Sequence, residues 1–138
     1  GGFLDAAERR VRDANADVRI EAVHYLFQHL PEDRFTRIEQ YLKDSDPRIR
    51  GAALLCAARE SRRNHALKTR FGLCEIIKAE LNAMNETSDP ADRRQRKTTL
   101  ARAIGAANIP DFHPYLYLFP ESVALNLLNI IYCIDFMH

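Results

Sequence analysis

Arginine offers the clearest potential for chemistry in this sequence. Arg outnumbers Lys 16 to 4, and the planar guanidinium group suits phosphates and carboxylates. Four cations fall within five positions and form a candidate cluster for an anionic partner. They are Arg93, Arg94, Arg96 and Lys97. Two acidic residues, Asp89 and Asp92, stand beside them, and the net charge of the chain is only +1, so nucleic acid is not the expected partner.

The remaining reactive residue types predict no catalytic or metal site. His24 and His29 are five positions apart, whereas two ligands on one helix face are four apart. The three cysteines are widely spaced, which predicts buried thiols in a reducing compartment rather than a zinc site or disulfides. The five glycines form neither a Walker A loop nor a dinucleotide fingerprint. We therefore expect no enzyme activity, catalytic residue, cofactor or bound metal.

The elements that position these residues are predicted to be helices throughout. The chain has 138 residues and is 46% hydrophobic and 28% charged, a composition typical of one globular domain. Five Gly and six Pro leave few helix breakers. Apolar spacing and capping residues predict helices over 3–11, 16–30, 31–42, from 47 onward, 66–85, 90–107, 111–118 and 121–137. Short connections between them favour antiparallel helical hairpins.

An internal repeat underlies these helices. The segment 15–23 aligns without gaps on 46–54, at an offset of 31 residues. Both segments have a capping residue, a β-branched apolar residue three positions on, Arg next, and Ala three positions after the Arg. Asp89 marks a third start, 43 residues after the second. There Asp92 and Arg93 stand in place of Ile49 and Arg50, so the third unit is degenerate.

The repeat resembles HEAT repeats, which are two-helix units that stack into a solenoid. The residues that carry the resemblance are Asn15, Val18, Arg19 and Ala22 in one unit and Asp46, Pro47, Ile49, Arg50 and Ala53 in the next. It covers 3–61 well, and it covers 64–138 mainly in helix lengths and turn positions, which leaves an armadillo-like or irregular helical array open. The resemblance implies an all-α, right-handed α–α superhelix of about four hairpins.

The resemblance also implies roles for particular residues. Arg19 and Arg50 become structural repeat arginines that bond acceptors in an adjacent repeat, so that Arg50 reaches the turn at Asn15 and Asp17 or its counterpart on the other side. Similar repeats bind partners along the surface of their second helices. On this chain that candidate partner surface consists of His24, Gln28, Arg48, Leu55 and Arg59.

The function expected from this resemblance is a non-catalytic protein–protein interaction or scaffolding module. Its partner would be another protein or another domain of the same chain. One alternative is a nucleic-acid-binding domain similar to the HEAT-like DNA alkylation glycosylases, although Trp, which is useful for stacking against a damaged base, is absent. The other alternative is a regulatory or spacer domain of a larger and membrane-associated protein.

The two ends of the chain suggest a fragment. Gly1 and Gly2 are interpreted as residues left from cloning, and 3–138 as a single domain of a longer chain. No Lys or Arg follows Arg102, and the last 36 residues are crowded with apolar side chains, unlike the polar cap of a solenoid. No apolar run is long enough to span a bilayer. A cytoplasmic location is expected.

Overall fold

Helices form every regular element that the structure, a computed structural model, describes. It describes residues 2–29, 34–84 and 86–118, and these ranges contain no strand. The elements are α1 (Gly2–Arg10), α2 (Ala16–His29), α3 (Arg34–Leu42), α4 (Pro47–Arg63), α5 (Ala66–Phe71), α6 (Leu73–Ala83), α7 (Pro90–Ala107) and a 3-10 helix (Pro110–Leu118). The predicted all-α class is confirmed over these residues, and the right-handed superhelix of four hairpins stays a prediction.

The helices pack as hairpins whose second members lie side by side. Helix α1 packs on α2, α3 packs on α4, and α6 packs on α7. Helix α4 also packs against both α2 and α7, and its contact with α7 is the most extensive in the described fold. The second helices of the three hairpins therefore form a row with α4 at its centre.

Small side chains allow α4 to occupy this central position. Ala52, Ala53, Ala57 and Ala58 are buried along it, as are Ile49, Leu54 and Leu55. A Cβ atom added to Gly51 would lie 3.4 Å from Cγ2 of Thr99 on α7. That distance leaves little room for a larger side chain, so α4 and α7 approach closely at this point.

The capping residues that mark the repeat in the sequence perform that role. The side-chain oxygens Oδ1 of Asn15, Asp46 and Asp89 accept hydrogen bonds from backbone N–H groups two positions on, at 2.9, 2.9 and 3.2 Å. Each bond satisfies a donor that the first turn of a helix leaves free. The predicted starts of α2, α4 and α7 are confirmed.

The helix predicted over 66–85 is wrong in one respect, because Gly72 divides it into α5 and α6. Gly72 adopts φ 64°, ψ 42°, the left-handed conformation, and its N–H bonds to the carbonyls of Lys68 and Thr69. Glycine takes this conformation without the Cβ penalty that other residues have. The apolar spacing continues across the break, so the periodicity alone did not indicate it.

Two other expectations need comment. Cys56 is buried as expected, and burial raises the pKa of its thiol to about 12, but Cys74 is exposed. The segment predicted as helix 111–118 is a 3-10 helix, Pro110–Leu118. The predicted helix 121–137, with most of the apolar C-terminal stretch, and Gly1 lie outside the described residues.

Candidate protein-docking surface

Three equivalent arginines fasten the start of each second helix to the turn before it. Arg19, Arg50 and Arg93 each donate to a carbonyl six positions earlier in the chain. The acceptors are the carbonyls of Asp13 (2.7 Å) and Ala14 (2.9 Å) for Arg19, of Asp44 (2.9 Å) and Ser45 (3.1 Å) for Arg50, and of Thr87 (3.0 and 3.1 Å) for Arg93. The third unit, degenerate in its apolar positions, therefore keeps the polar part of the repeat.

The turn bonds are additional to the bond with an adjacent repeat that the HEAT resemblance implies for Arg50, and only the expected acceptor of that bond differs. Arg50 bonds its own turn rather than the turn at Asn15, and its reach toward the next hairpin is through Nε to Glu80 on α6, at 3.1 Å. Arg19 reaches past the next hairpin and donates to Oε1 of Gln95 on α7, at 3.3 Å. The turn carbonyls are the nearest acceptors to a side chain that starts one helical turn further on, so the local bonds dominate.

Charged side chains gather where α4 and α7 begin. Glu80 accepts from Arg50 at 3.1 Å and from Arg96 at 3.3 Å, and Arg48 donates two bonds to the Asp46 carboxylate, at 3.1 and 3.2 Å. Partial burial acts to raise the pKa of Asp46, but the hydrogen bonds from Arg48 outweigh it and hold that pKa below its usual range. This region is thus a compact polar junction between two helix starts.

A groove of about 910 Å³ lies on α1 and α2. We call it the α2 groove. It is lined by Ala6, Ala7, Arg10, Asp17, Val18, Glu21, Ala22, His24, Tyr25 and Gln28. Val18 and Tyr25 are half-buried in it, Ala22 is buried, and the carboxylates of Asp17 and Glu21 are exposed. The α2 groove therefore has an apolar floor with an acidic side.

The repeat register gives this floor a counterpart inside the fold. Val18, Ala22 and Tyr25 of α2 correspond, 31 positions on, to Ile49, Ala53 and Cys56 of α4. The α4 residues are 0, 0 and 2% exposed. At 100° per residue they lie across α4 from Gly51, which meets α7, and so on the side toward the preceding hairpin. The face that α4 buries completely is thus only half-buried on α2 at Val18 and Tyr25.

The opposite side of α2 faces its successor. Ile20, Val23 and Phe27 occupy it and are 5, 1 and 4% exposed. Ile20 corresponds to Gly51, the α4 residue that meets α7. Helix α2 therefore has one side packed toward the following repeat and one side, the floor of the α2 groove, without a preceding repeat among the described residues.

The sequence-predicted partner surface is only partly assembled. His24 and Gln28 both line the α2 groove. Leu55 is 1% exposed and belongs to the core, while Arg48 and Arg59 are exposed on α4, with Arg48 engaged by Asp46. The groove floor was missed, although aligning Val18, Ala22 and Tyr25 with the α4 residues would have found it.

The predicted anionic-partner cluster consists of two arginines bonded inside the fold and two cations at the surface. Arg93 bonds the carbonyl of Thr87, and Arg96 bonds Glu80 and Oγ1 of Thr87. Arg94 is exposed and Lys97 half-buried. Half of the cluster is therefore committed to holding α7 in place.

Comparison with known proteins adds no relative to this description. No family model, curated protein or solved structure matches the chain. Within the described part of the chain, no helix has the length and apolar character needed to cross a membrane. Nor do the described residues bring three or more His, Cys, Asp or Glu side chains together as metal ligands would be.

Proposed function

We propose that this chain is a non-catalytic protein-interaction module of HEAT-like hairpins, and that its α2 groove binds an amphipathic helix. The helix belongs to another protein or to another part of the same chain. One observation carries the proposal: the floor of the groove is the repeat counterpart of a face that α4 keeps buried. A partly exposed surface whose counterpart on α4 is fully buried in the fold is suited to pack against a further helix.

The shape of the partner follows from the stacking already present. Helix α2 turns Ile20, Val23 and Phe27 toward the following hairpin, and the α2 groove repeats the side of α4 that receives them. The partner helix accordingly presents aliphatic or aromatic residues at positions i, i+3 and i+7. Amphipathic helices that bind in grooves do so through anchor side chains at this spacing.

The charge of the groove refines this description. Asp17 and Glu21 are exposed along it and belong to none of the ion pairs found among the described residues. A partner helix with Lys or Arg beside its apolar anchors would place cations next to these carboxylates. Such rim charges speed encounter and suppress wrong partners more than they add affinity.

A peptide of this chain's own sequence is the sharpest probe. Residues 15–29, with a hydrocarbon staple across positions 21 and 25, keep the Ile20, Val23 and Phe27 face free. Fluorescence anisotropy should detect saturable binding of this peptide to the whole chain. Val18→Glu in the chain places a charge on the groove floor and should weaken the affinity by about tenfold or more, equivalent to about 1.4 kcal/mol.

Two controls separate groove binding from general stickiness. Ala79→Glu adds the same charge at an exposed position of α6 and should leave the peptide affinity unchanged. The peptide itself, made with Ile20→Glu, should fail to bind. Absence of binding by the wild-type peptide, or equal binding by the Val18→Glu and Ala79→Glu chains, contradicts the proposal.

Nucleic-acid binding has weaker support than helix binding. Two of the four cations in its candidate cluster, Arg93 and Arg96, are occupied by internal acceptors, which leaves Arg94 and Lys97 to meet a phosphate backbone. We therefore expect no duplex DNA binding at physiological ionic strength. Salt-dependent binding that Arg94→Ala weakens would instead favour the nucleic-acid alternative.

A further inference from the structure

The strongest unused feature outside the α2 groove is the Arg19 side chain. Arg19 is 3% exposed, one of the two buried polar or charged residues of the described chain. Its Nη1 donates to two turn carbonyls and its Nη2 to the amide oxygen of Gln95. Its Nε is buried and has no hydrogen-bond partner. Among the described residues, no carboxylate lies within ion-pair distance of it.

The neighbouring arginines are neutralised, which makes Arg19 the exception. Arg50 and Arg96 share the Glu80 carboxylate, and Arg48 has the Asp46 carboxylate. All three are more exposed than Arg19. Because a buried charge is costly unless it is paired, the deepest cation of this group is the one that most needs a counter-ion.

A cavity of about 20 Å³ lies beside Arg19, between the first two turns of α4 and the middle of α7. Arg48, Arg96, Gln95 and Glu80 also line it, so three cationic side chains face one anionic side chain there. A water molecule needs roughly 10–15 Å³ of such space, so the cavity admits one species of about that size. A monatomic halide ion is small enough for this space.

Other charges act on Arg19 from a greater distance. Burial, and next the neighbouring Arg48, lower its pKa, whereas Asp46, Asp13 and Asp92 act in the opposite direction. Asp46 is already engaged by two hydrogen bonds from Arg48. These carboxylates act on Arg19 without forming an ion pair with it, so no direct counter-ion lies against the buried guanidinium among the described residues.

We propose that this cavity is a binding site for a small monovalent anion of the halide class, with Arg19 as its principal ligand. The anion supplies the counter-charge that Arg50 and Arg96 obtain from Glu80. Bound beside the N-terminal turns of α4, the anion bridges α2 and α7 and so stabilises the packing of the three second helices. The site is separate from the α2 groove and does not depend on the function proposed for it.

Thermal unfolding in matched salts tests the site. In 300 mM sodium bromide, compared with 300 mM sodium fluoride, the melting temperature of the wild-type chain should be about 3–5 °C higher. Without a site the order is the reverse, because strongly hydrated anions generally stabilise proteins more than weakly hydrated ones. Anomalous scattering from bromide-soaked crystals should give a peak beside Arg19.

Two variants decide where the anion binds. Gln95→Glu places a carboxylate against Arg19 Nη2 and should abolish the bromide advantage while the chain stays folded. Arg93→Met removes the equivalent repeat arginine, which does not line the cavity, and should keep that advantage. The proposal is overturned if the wild type shows no bromide advantage, if Gln95→Glu retains it, or if Arg93→Met loses it as well.

Discussion

The two sides of α4 meet their neighbours with different chemistry at equivalent positions. Toward α2 the repeat supplies Ile49, Ala52 and Ala53, which are 0, 2 and 0% exposed. The equivalent residues of α7, 43 positions on, are Asp92, Gln95 and Arg96. The α2/α4 junction is therefore apolar along this face, and the α4/α7 junction begins with charged and amide side chains.

The difference teaches how a helical repeat tolerates an arginine where it usually has alanine. Arg96 is buried apart from 11% of its side chain, and Glu80 on the first helix of the same hairpin accepts its hydrogen bond at 3.3 Å. One carboxylate thus serves both Arg96 and Arg50. The row of helices continues because the neighbouring helix supplies the counter-charge, not because the position is exposed to water.

The largest effect is expected when an arginine like Arg96 is placed at the equivalent position of α4, where it has no carboxylate partner. Ala53→Arg puts the α7 residue type into the apolar junction, where the described structure offers no carboxylate like Glu80. An uncompensated buried charge costs about 3–5 kcal/mol, so urea denaturation should show a chain that is largely unfolded or severely destabilised. Ala79→Arg, at an exposed site, is the control and should change stability by less than about 0.5 kcal/mol.

Removing the shared carboxylate should have the next largest effect. Glu80→Gln leaves Arg50 and Arg96 without their anionic partner, and we expect a loss of about 1–3 kcal/mol in the free energy of unfolding. Glu75→Gln on the same helix affects an exposed carboxylate and is the matched control. Equal stability of the two variants would mean that the polar junction contributes nothing through Glu80.

Replacing Arg96 with the alanine found at the α2/α4 junction should change the free energy of unfolding only slightly. Arg96→Ala restores the small residue of the repeat and leaves Glu80 paired with Arg50, so we expect a change within about 1 kcal/mol. The stability of this variant should also depend less on salt concentration than that of the wild type. A loss above about 3 kcal/mol would indicate that Arg96 is essential to the junction.

The smallest effect is expected from changes to the helix caps. The cap of α2 is the uncharged Asn15, whereas the cap of α4 is the charged Asp46. Asp46→Asn keeps a capping oxygen but removes the charge. Since the folded pKa of Asp46 lies below its ordinary value, its charge contributes stability above the unfolded pKa of about 3.9, and that contribution disappears as the pH falls through the folded pKa. Denaturation between pH 7 and 3 should show the advantage of the wild type over Asp46→Asn shrinking as the pH falls below about 4.

A constant difference between the wild type and Asp46→Asn across that pH range would show that the carboxylate charge has no role. Asn15→Ala offers the contrast at the apolar junction. It removes an uncharged cap, so it should cost about 1 kcal/mol at every pH from 7 to 3.

The sequence predicted the features that depend on local chemistry. Asn15, Asp46 and Asp89 cap helices through bonds to residues two positions away, and such short-range signals are visible in one dimension. The break at Gly72 was missed because its apolar neighbours kept their helical spacing. Glu80 was missed as well, because its two arginine partners are 30 and 16 positions distant and only the packing of α4, α6 and α7 brings them together.

Two-dimensional NMR of the whole chain, titrated with the stapled 15–29 peptide, tests the central proposal most directly. If the open face of α2 is a vacant stacking surface, amide shifts should concentrate in α1 and α2 and include Val18, Ala22 and Tyr25. Shifts concentrated in α7 or the 3-10 helix, or no shifts at a peptide concentration that saturates anisotropy, would contradict it.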